Sequence, residues 1–198
     1  MSEKSKELPI FAEEKGDAIR LFFASGGNAI FMHGANCQKV MGAGIAAQVR
    51  DTVAPLYFLD QFDARQTSQR FGNFSALLLA ENKDGIKIGV NLYTQYNPGA
   101  NFDIVALKSA LRAFKFTIKP ENRGAFTIFL PWIGCGIGGG DWKEVKPVIM
   151  KELAEFNVVA VEYKPTITKG PELEHPDEQS DEVPGPSPTK STRRSNKK

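Results

Sequence analysis

Apolar, β-branched stretches alternate with helical patterns along this chain. The stretches cover residues 8–11, 28–33, 74–80, 86–93, 125–130 and 158–163. Several are apolar on both faces, which is typical of strands buried between two layers. Residues 82–85 read Asn-Lys-Asp-Gly, the composition of a hairpin turn, so the strands on either side are expected to pair antiparallel. The pattern predicts a mixed sheet.

Four segments between these stretches repeat apolar residues every three or four positions, which predicts helices. Their apolar positions are Ile45, Val49 and Val53; Phe58, Leu59 and Phe62; Ile104, Leu107, Leu111 and Phe114; and Val145, Val148, Ile149 and Leu153. Pro55 suits the start of the second helix and Asp103 can cap the third. The fourth should begin near Asp141, with Pro147 bending its first turns. Alternating strands and helices predict a three-layer α/β domain with helices on both sheet faces.

The composition changes at Pro165. From there to Lys198 the chain has no aromatic residue and holds six of its twelve prolines. Acidic residues gather in 172–182 and basic residues in 190–198. Such a segment buries too little apolar surface to offset its ordering entropy, so residues 165–198 are expected to form a disordered tail after a folded domain of residues 1–164. The basic end is either solvated or in weak contact with a nucleic acid.

Overall composition narrows the functional classes. The 198 residues are 41% hydrophobic with a net charge of +2, enough apolar surface for one core and too little charge to indicate nucleic-acid or membrane binding by the folded part. No apolar run is long enough to cross a bilayer, and the first residues lack a signal-peptide core. Cys37 and Cys135 have neither disulfide-framework nor zinc-site spacing and are expected to be reduced. We expect a cytoplasmic monomer without metal.

Two glycine-rich segments carry the functional signal. The first is Met41, Gly42, Ala43, Gly44 and Ile45; the second is Gly134, Cys135, Gly136, Ile137, Gly138, Gly139 and Gly140. Each follows a predicted strand and precedes a predicted helix. Glycine lets a ligand approach the backbone closely, and free N–H groups at a turn or helix start attract anions. Either segment alone could be a simple turn, but together they predict a clamp for a diphosphate in the crevice beyond the strand ends.

At these residues the chain resembles the macro domain family. His33 to Ala46 looks like the first ligand loop of that family, and Leu130 to Gly136 with Gly139 to Trp142 looks like the second. Lys15-Gly16-Asp17 is similar to an early family motif, and Asn91 to Gln95 resembles a central strand of one branch. The resemblance spans roughly residues 8–164. It implies an ADP-ribose-binding α/β/α fold without metal or other cofactor.

The resemblance implies a role for several polar side chains, and each has a structural alternative. Asp17 matches the aspartate that reads adenine, or it caps a helix over residues 18–23. Asn36 matches the asparagine beside the distal ribose, or it is a turn residue. His33 matches a histidine of the phosphatase-like branch, where it would protonate the leaving group, or it is a buried structural histidine. Asp141 would activate water, cap the last helix, or do both.

Two positions separate branches of the family. Relatives that release ADP-ribose from glutamate or DNA bases carry a lysine where this chain has Gln95, and those with a paired aspartate would place it at Gly138. The chain instead resembles the branch that removes phosphate from ADP-ribose 1''-phosphate. That hydrolase, with His33, Asn36 and Asp141 catalytic and Gln95 in the ligand-binding set, is the first hypothesis. Release of ADP-ribose from protein or nucleic acid, and non-catalytic binding of ADP-ribose, are the alternatives.

Overall fold

The computed structural model describes residues 9–163. Its strands are β1 (Phe11–Gly16), β2 (Asn28–Asn36), β3 (Phe74–Asn82), β4 (Gly85–Gln95), β5 (Phe126–Pro131) and β6 (Asn157–Tyr163). Its helices are α1 (Ala18–Ala24), α2 (Gly44–Thr52), α3 (Ala54–Gln61), α4 (Thr67–Arg70), α5 (Ile104–Lys115), α6 (Pro120–Arg123) and α7 (Trp142–Glu152). The predicted tail and the boundary after residue 164 lie outside the described residues.

The six strands form one mixed sheet in the order β1-β6-β5-β2-β4-β3. Neighbouring strands are parallel except β3, which pairs antiparallel with β4 through the predicted hairpin. Within that turn, the Asp84 N–H donates to Asn82 Oδ1 over 2.8 Å. The parallel strands therefore end at one edge of the sheet, where the loops after β2, β4 and β5 meet the end of β6.

Apolar layers cover both faces of the sheet. Leu107 and Leu111 of α5 and Ile149 of α7 belong to the layer on one face. Phe22 of α1 and Val49 of α2 belong to the layer on the other face. The three-layer α/β architecture predicted from the sequence is confirmed, with helices on both faces. Among the described residues, no helix is both long and apolar enough to span a membrane.

The predicted helix ends are confirmed where a local signal exists. Asp103 Oδ1 accepts hydrogen bonds from the N–H groups of Val105 and Ala106 (2.7 and 2.8 Å), and Asp141 Oδ1 accepts from the Lys143 N–H (2.9 Å). Pro55 lies in the first turn of α3, and Pro147 lies inside α7. Polar caps satisfy backbone donors that a helix start leaves free.

Two strands differ from the sequence prediction by three residues or more. The first strand was predicted at residues 8–11, but β1 runs from Phe11 to Gly16. It pairs only with β6, so its charged side chains face solvent and the apolar signal is weak. The second strand was predicted to end at His33, but β2 continues to Asn36 beside β4. The four-residue helices α4 and α6 have no apolar repeat and were not predicted.

Candidate functional site: a cleft at the carboxyl edge of the sheet

A cleft of about 580 Å³ opens where the loops after β2, β4 and β5 meet the end of β6. Its wall consists of residues 34–36, 40, 42–46, 95, 98–99, 131–138 and 162–163. This volume lies within the usual range of small-molecule sites. Both glycine-rich segments predicted from the sequence contribute to the wall, and they come from neighbouring strands of the sheet.

The first wall is the start of α2. Gly44 opens this helix with φ of 58°, a left-handed conformation that favours glycine. Ala43 precedes it and has no side chain that could cap the helix. The first helical hydrogen bond is donated by Ala47 to the Ala43 carbonyl, over 3.2 Å. The N–H groups of Gly44, Ile45 and Ala46 therefore have no acceptor within residues 9–163, as is usual for the first donors of an uncapped helix, and these residues line the cleft.

The second wall is the loop of residues 132–141 between β5 and α7. Some of its N–H groups bond within the loop, such as Gly139 to the Gly136 carbonyl (3.1 Å) and Gly140 to the Gly134 carbonyl (2.9 Å). The N–H groups of Gly136, Ile137 and Gly138 have no acceptor among the described residues. These three residues line the cleft opposite α2. A Cβ added at Gly44 would lie 3.8 Å from Ile137 Cδ1, so the two walls face each other closely.

Phe102 holds the second loop in shape. Its N–H donates to the Gly138 carbonyl over 3.1 Å. A Cβ at Gly134 would come within 2.2 Å of the Phe102 ring, and one at Gly140 within 2.7 Å. Glycine at these two positions therefore permits packing against the aromatic ring. This requirement explains part of the glycine run without any ligand.

Three residues of the two predicted glycine-rich segments lie outside the cleft wall. Met41 is buried in the apolar layer beneath α2. Gly139 and Gly140 turn away from the wall toward Ala100 and Phe102. Every residue of the two glycine-rich segments was predicted to bind the ligand, whereas only part of each segment faces the cleft.

The cleft is electrostatically unusual for a diphosphate site. No lysine or arginine belongs to its wall in the part of the chain described, and Glu162 is its only charged residue. Positive potential comes instead from the aligned peptide dipoles of α2 and the free N–H groups of the second loop. Cys135 also lines the cleft, and burial raises the pKa of its thiol to about 11, so it is protonated at neutral pH. Cys37 and Cys135 are both free.

Asn36 lies in the wall, but its amide is engaged within the protein. Its Nδ2 donates to the Val40 carbonyl over 2.7 Å. Its Oδ1 accepts from the N–H groups of Gln38 (3.0 Å) and Val40 (3.2 Å). The turn-residue interpretation of Asn36 is confirmed, because this amide closes the loop that leads to α2. Contact with a distal ribose stays a prediction.

His33 lies outside the cleft wall and is fully buried. Its Nε2 is 2.7 Å from Asn91 Oδ1, and its Nδ1 is 3.0 Å from the Gly34 carbonyl oxygen. Burial lowers the pKa of the ring to about 4, so the imidazole is neutral at neutral pH. The predicted role as proton donor to a leaving group does not fit this position. Strand β2 continues past His33, which turns the ring into the protein interior.

The buried imidazole makes stability depend on pH. The pKa of His33 is about 4 in the folded protein and about 6.5 when the side chain is unfolded, so folding favours the neutral ring. The stability gained from burying the neutral ring is complete above pH 6.5 and is lost as the pH falls toward 4. We expect His33 to lower the free energy of unfolding by about 2 kcal/mol between pH 7.5 and pH 5. Urea unfolding at both pH values measures this change. His33→Gln should reduce this pH dependence of the free energy of unfolding; an equal pH dependence in His33→Gln contradicts its assignment to His33.

The two predicted aspartates act as helix caps. Asp17 Oδ1 accepts from the N–H groups of Ile19 (2.9 Å) and Arg20 (3.1 Å) at the start of α1. Asp141 is exposed and caps α7. Neither belongs to the cleft wall. Asp17 nevertheless follows Gly16, which pairs with Tyr163, so it lies near the β6 end of the cleft. Its adenine-reading role and the water-activating role of Asp141 stay predictions.

Several wall residues were not predicted. Tyr163 and Glu162 end β6, and Pro98 and Gly99 follow β4. Gln95, which was predicted, lies in the wall and donates from Nε2 to the Gly99 carbonyl. The signal for the missed residues was their position, because parallel strands bring all their carboxyl ends to one edge.

A buried ionic network, also unpredicted, supports the loop after β2. Arg70 is fully buried, pairs with Asp60 through Nη2, and donates from Nη1 to the Cys37 carbonyl over 2.8 Å. Its guanidinium lies 4.2 Å from the centre of the Tyr93 ring. The Tyr93 hydroxyl donates to Asp60 Oδ1 over 3.1 Å.

No cluster of three or more His, Cys, Asp or Glu residues suited to a metal ion occurs within residues 9–163.

Solved structures with a similar fold include macrodomains. The macrodomain of Mycobacterium tuberculosis DarG is 20% identical, with a TM-score of 0.61 over 80% of this chain and 99% of that chain. Thermosipho africanus DarTG, solved in complex with ADP-ribose, is 22% identical with a TM-score of 0.61; the match covers 82% of this chain and only 43% of that longer chain. This chain therefore has the macrodomain fold.

A relative close enough to define the family comes from a bacteriophage. The chain belongs to the same family as the "Uncharacterized 17.5 kDa protein in tk-vs intergenic region" of Enterobacteria phage T4. The two are 31% identical over 161 residues, covering 77% of this chain and 96% of the phage protein. No protein-family model matches the chain. The name of the phage protein gives no activity, so function has to be argued from the cleft.

Proposed function

We propose that this protein binds ADP-ribose, with the diphosphate held by backbone N–H groups between the two walls of the cleft. The observation that carries this proposal is the pair of facing donor sets: Gly44, Ile45 and Ala46 on one side, and Gly136, Ile137 and Gly138 on the other. Two phosphates in series need two sets of donors at close range, and a helix start supplies one. The solved complex of DarTG with ADP-ribose supports the choice of ligand.

The remaining walls suggest how the ligand is oriented. At the β6 end, Tyr163 is half exposed and Trp132 stacks on Trp142, with ring centres 4.9 Å apart. Exposed aromatic rings stack well on nucleobases, so we expect the adenine there. Asp17 lies near this end and accepts its two hydrogen bonds through Oδ1, which leaves Oδ2 for the adenine amine. The distal ribose would then lie at the β4 end, near Asn36 and Gln95.

The contacts of the described residues favour binding over hydrolysis. Removal of phosphate from ADP-ribose 1''-phosphate rests on the sequence resemblance, which assigned His33, Asn36 and Asp141 to catalysis. The His33 ring is buried, the Asn36 amide is engaged with its own loop, and Asp141 lies outside the cleft wall. A general acid or base must come within hydrogen-bonding reach of the reacting atoms, directly or through one water. Non-catalytic binding is therefore the better-supported function.

The experiment that separates these functions measures binding and turnover on the same preparation. Isothermal titration calorimetry with ADP-ribose should give saturable binding to one site. Incubation with ADP-ribose 1''-phosphate in the presence of a chelator should release no phosphate, and substrates ADP-ribosylated on glutamate or on a DNA base should stay intact. Phosphate release that disappears in Asp141→Ala would favour the phosphatase. Absence of ADP-ribose binding would contradict the proposed function itself.

A further inference from the structure

Glu162 is the one charged residue in the cleft wall within the described part of the chain. It is the penultimate residue of β6, and 35% of its side chain is exposed. Lys15 of the neighbouring strand β1 has its Nζ 4.0 Å from Glu162 Oε2, but Lys15 is 67% exposed and lies outside the wall. A carboxylate in a site for an anionic ligand costs affinity unless it has a specific task. That cost calls for an explanation.

The position of Glu162 relative to the ligand follows from the proposed function, on which this inference rests. With adenine on Tyr163 and the diphosphate between the glycine walls, the adenosine ribose must lie between the two. Glu162 precedes Tyr163 in β6, Trp132 follows the neighbouring strand β5, and both line the cleft. Glu162 and Trp132 are neighbours across the β5–β6 pair, because Pro131 is in register with Val161 and the Trp132 N–H donates to the Val161 carbonyl over 3.1 Å.

We propose that Glu162 is a specificity-determining residue that limits the cleft to ADP-ribose derivatives with free hydroxyls on the adenosine ribose. A carboxylate oxygen accepts hydrogen bonds from ribose hydroxyls. The same carboxylate repels a phosphate on the 2'-hydroxyl. Dinucleotide-binding folds use this chemistry, with an acidic residue at an unmodified ribose and an arginine at a phosphorylated one. The ligand class is thus the unphosphorylated form, and ADP-ribose 2'-phosphate is rejected.

The neighbouring charge of Lys15 determines how replacing Glu162 should change the affinities for the two ligands. Lys15 faces it from β1, and the ion pair holds the lysine near the carboxylate. When glutamine replaces Glu162, the repulsion disappears and Lys15 is released to approach an added phosphate. Affinity for the 2'-phosphorylated ligand should therefore rise, while affinity for ADP-ribose should fall or stay level. A merely structural role for Glu162 would change both affinities in the same direction.

The test is calorimetric titration of the full chain with ADP-ribose and with ADP-ribose 2'-phosphate. The wild-type protein should bind ADP-ribose at least about tenfold more tightly, equivalent to 1.4 kcal/mol. Glu162→Gln should reduce that preference at least about fivefold. Glu14→Gln is the matched control, because Glu14 is an exposed carboxylate on β1 outside the cleft wall. The control should keep the wild-type preference.

The possible outcomes distinguish this inference from the proposed function. Equal affinity of the wild-type protein for both ligands, or an unchanged preference in Glu162→Gln, overturns the role of Glu162 while leaving ADP-ribose binding intact. A preference reduced as much in Glu14→Gln as in Glu162→Gln also overturns it, since general charge would then be the cause. Failure of the wild-type protein to bind ADP-ribose overturns both proposals.

Discussion

Gly136→Val is expected to abolish ADP-ribose binding, weakening it at least about 100-fold, or 2.7 kcal/mol. A Cβ at Gly136 would have no atom within 4 Å, because it points into open space at the cleft wall. The valine side chain would fill the volume in which the diphosphate meets the N–H groups of the second loop. Gly136 has no positive φ, so the fold should tolerate the change. Calorimetry with ADP-ribose, alongside a thermal unfolding curve, measures both effects.

The matched control is Gly26→Val. Gly26 also has no atom within 4 Å of an added Cβ and no positive φ, but it lies between α1 and β2, away from the cleft. It should bind ADP-ribose like the wild-type protein. Gly44→Val is a poorer probe, because its φ of 58° adds backbone strain to any effect on the ligand. Wild-type affinity in Gly136→Val would mean that the diphosphate lies elsewhere.

Arg70→Met is expected to destabilise the protein by about 3–5 kcal/mol, the usual result of breaking a buried ion pair by removing one partner. Methionine leaves Asp60 in the interior without its guanidinium, beside the Tyr93 hydroxyl. Burial already raises the pKa of Asp60, opposed by Arg70, so the loss of Arg70 should raise that pKa further. The Cys37 carbonyl also loses its donor. Chemical denaturation at pH 7 measures the change in the free energy of unfolding.

Two further variants separate the missing charge from the missing volume. Arg70→Met combined with Asp60→Leu removes both charges and should recover much of the lost stability. Lys146→Met breaks the more exposed pair with Glu13 and should cost less than about 1 kcal/mol. An Arg70→Met protein as stable as Lys146→Met would show that the buried pair does not hold this region together.

The sequence predicted the features that depend on neighbours along the chain. The hairpin at residues 82–85, the cap of α5 by Asp103 and the start of α3 at Pro55 each follow from a few adjacent residues. The limits of β1 and β2 did not follow. They depend on pairing with β6 and β4, which are distant in sequence. The Arg70 network has the same origin, because Arg70 contacts the carbonyl of Cys37 33 positions earlier.

In the candidate site, the glycine-rich segments could be predicted from the sequence, but the roles of the polar residues could not. The glycine-rich segments could be found from the sequence because a residue without a side chain lets a ligand approach the backbone wherever the segment lies in the fold. The polar residues could not be assigned, since a histidine or asparagine can serve a ligand or the protein, and only the folded contacts decide. His33 faces Asn91 from the neighbouring strand, and Asn36 bonds to Val40 within its own loop. Glu162 carried no motif, and its place in the cleft follows from the order of the strands.

The most direct test of the central claim is a titration of ¹⁵N-labelled protein with ADP-ribose, followed by NMR. The account predicts that the largest amide shifts fall on the two donor sets, Gly44 to Ala46 and Gly136 to Gly138, because their N–H groups exchange water for phosphate oxygens. A second cleft at the opposite edge of the sheet, lined by Ile10, Gly124 and Asn157 among others, is the internal comparison. Shifts centred on that cleft, with the two donor sets unmoved, would contradict the account.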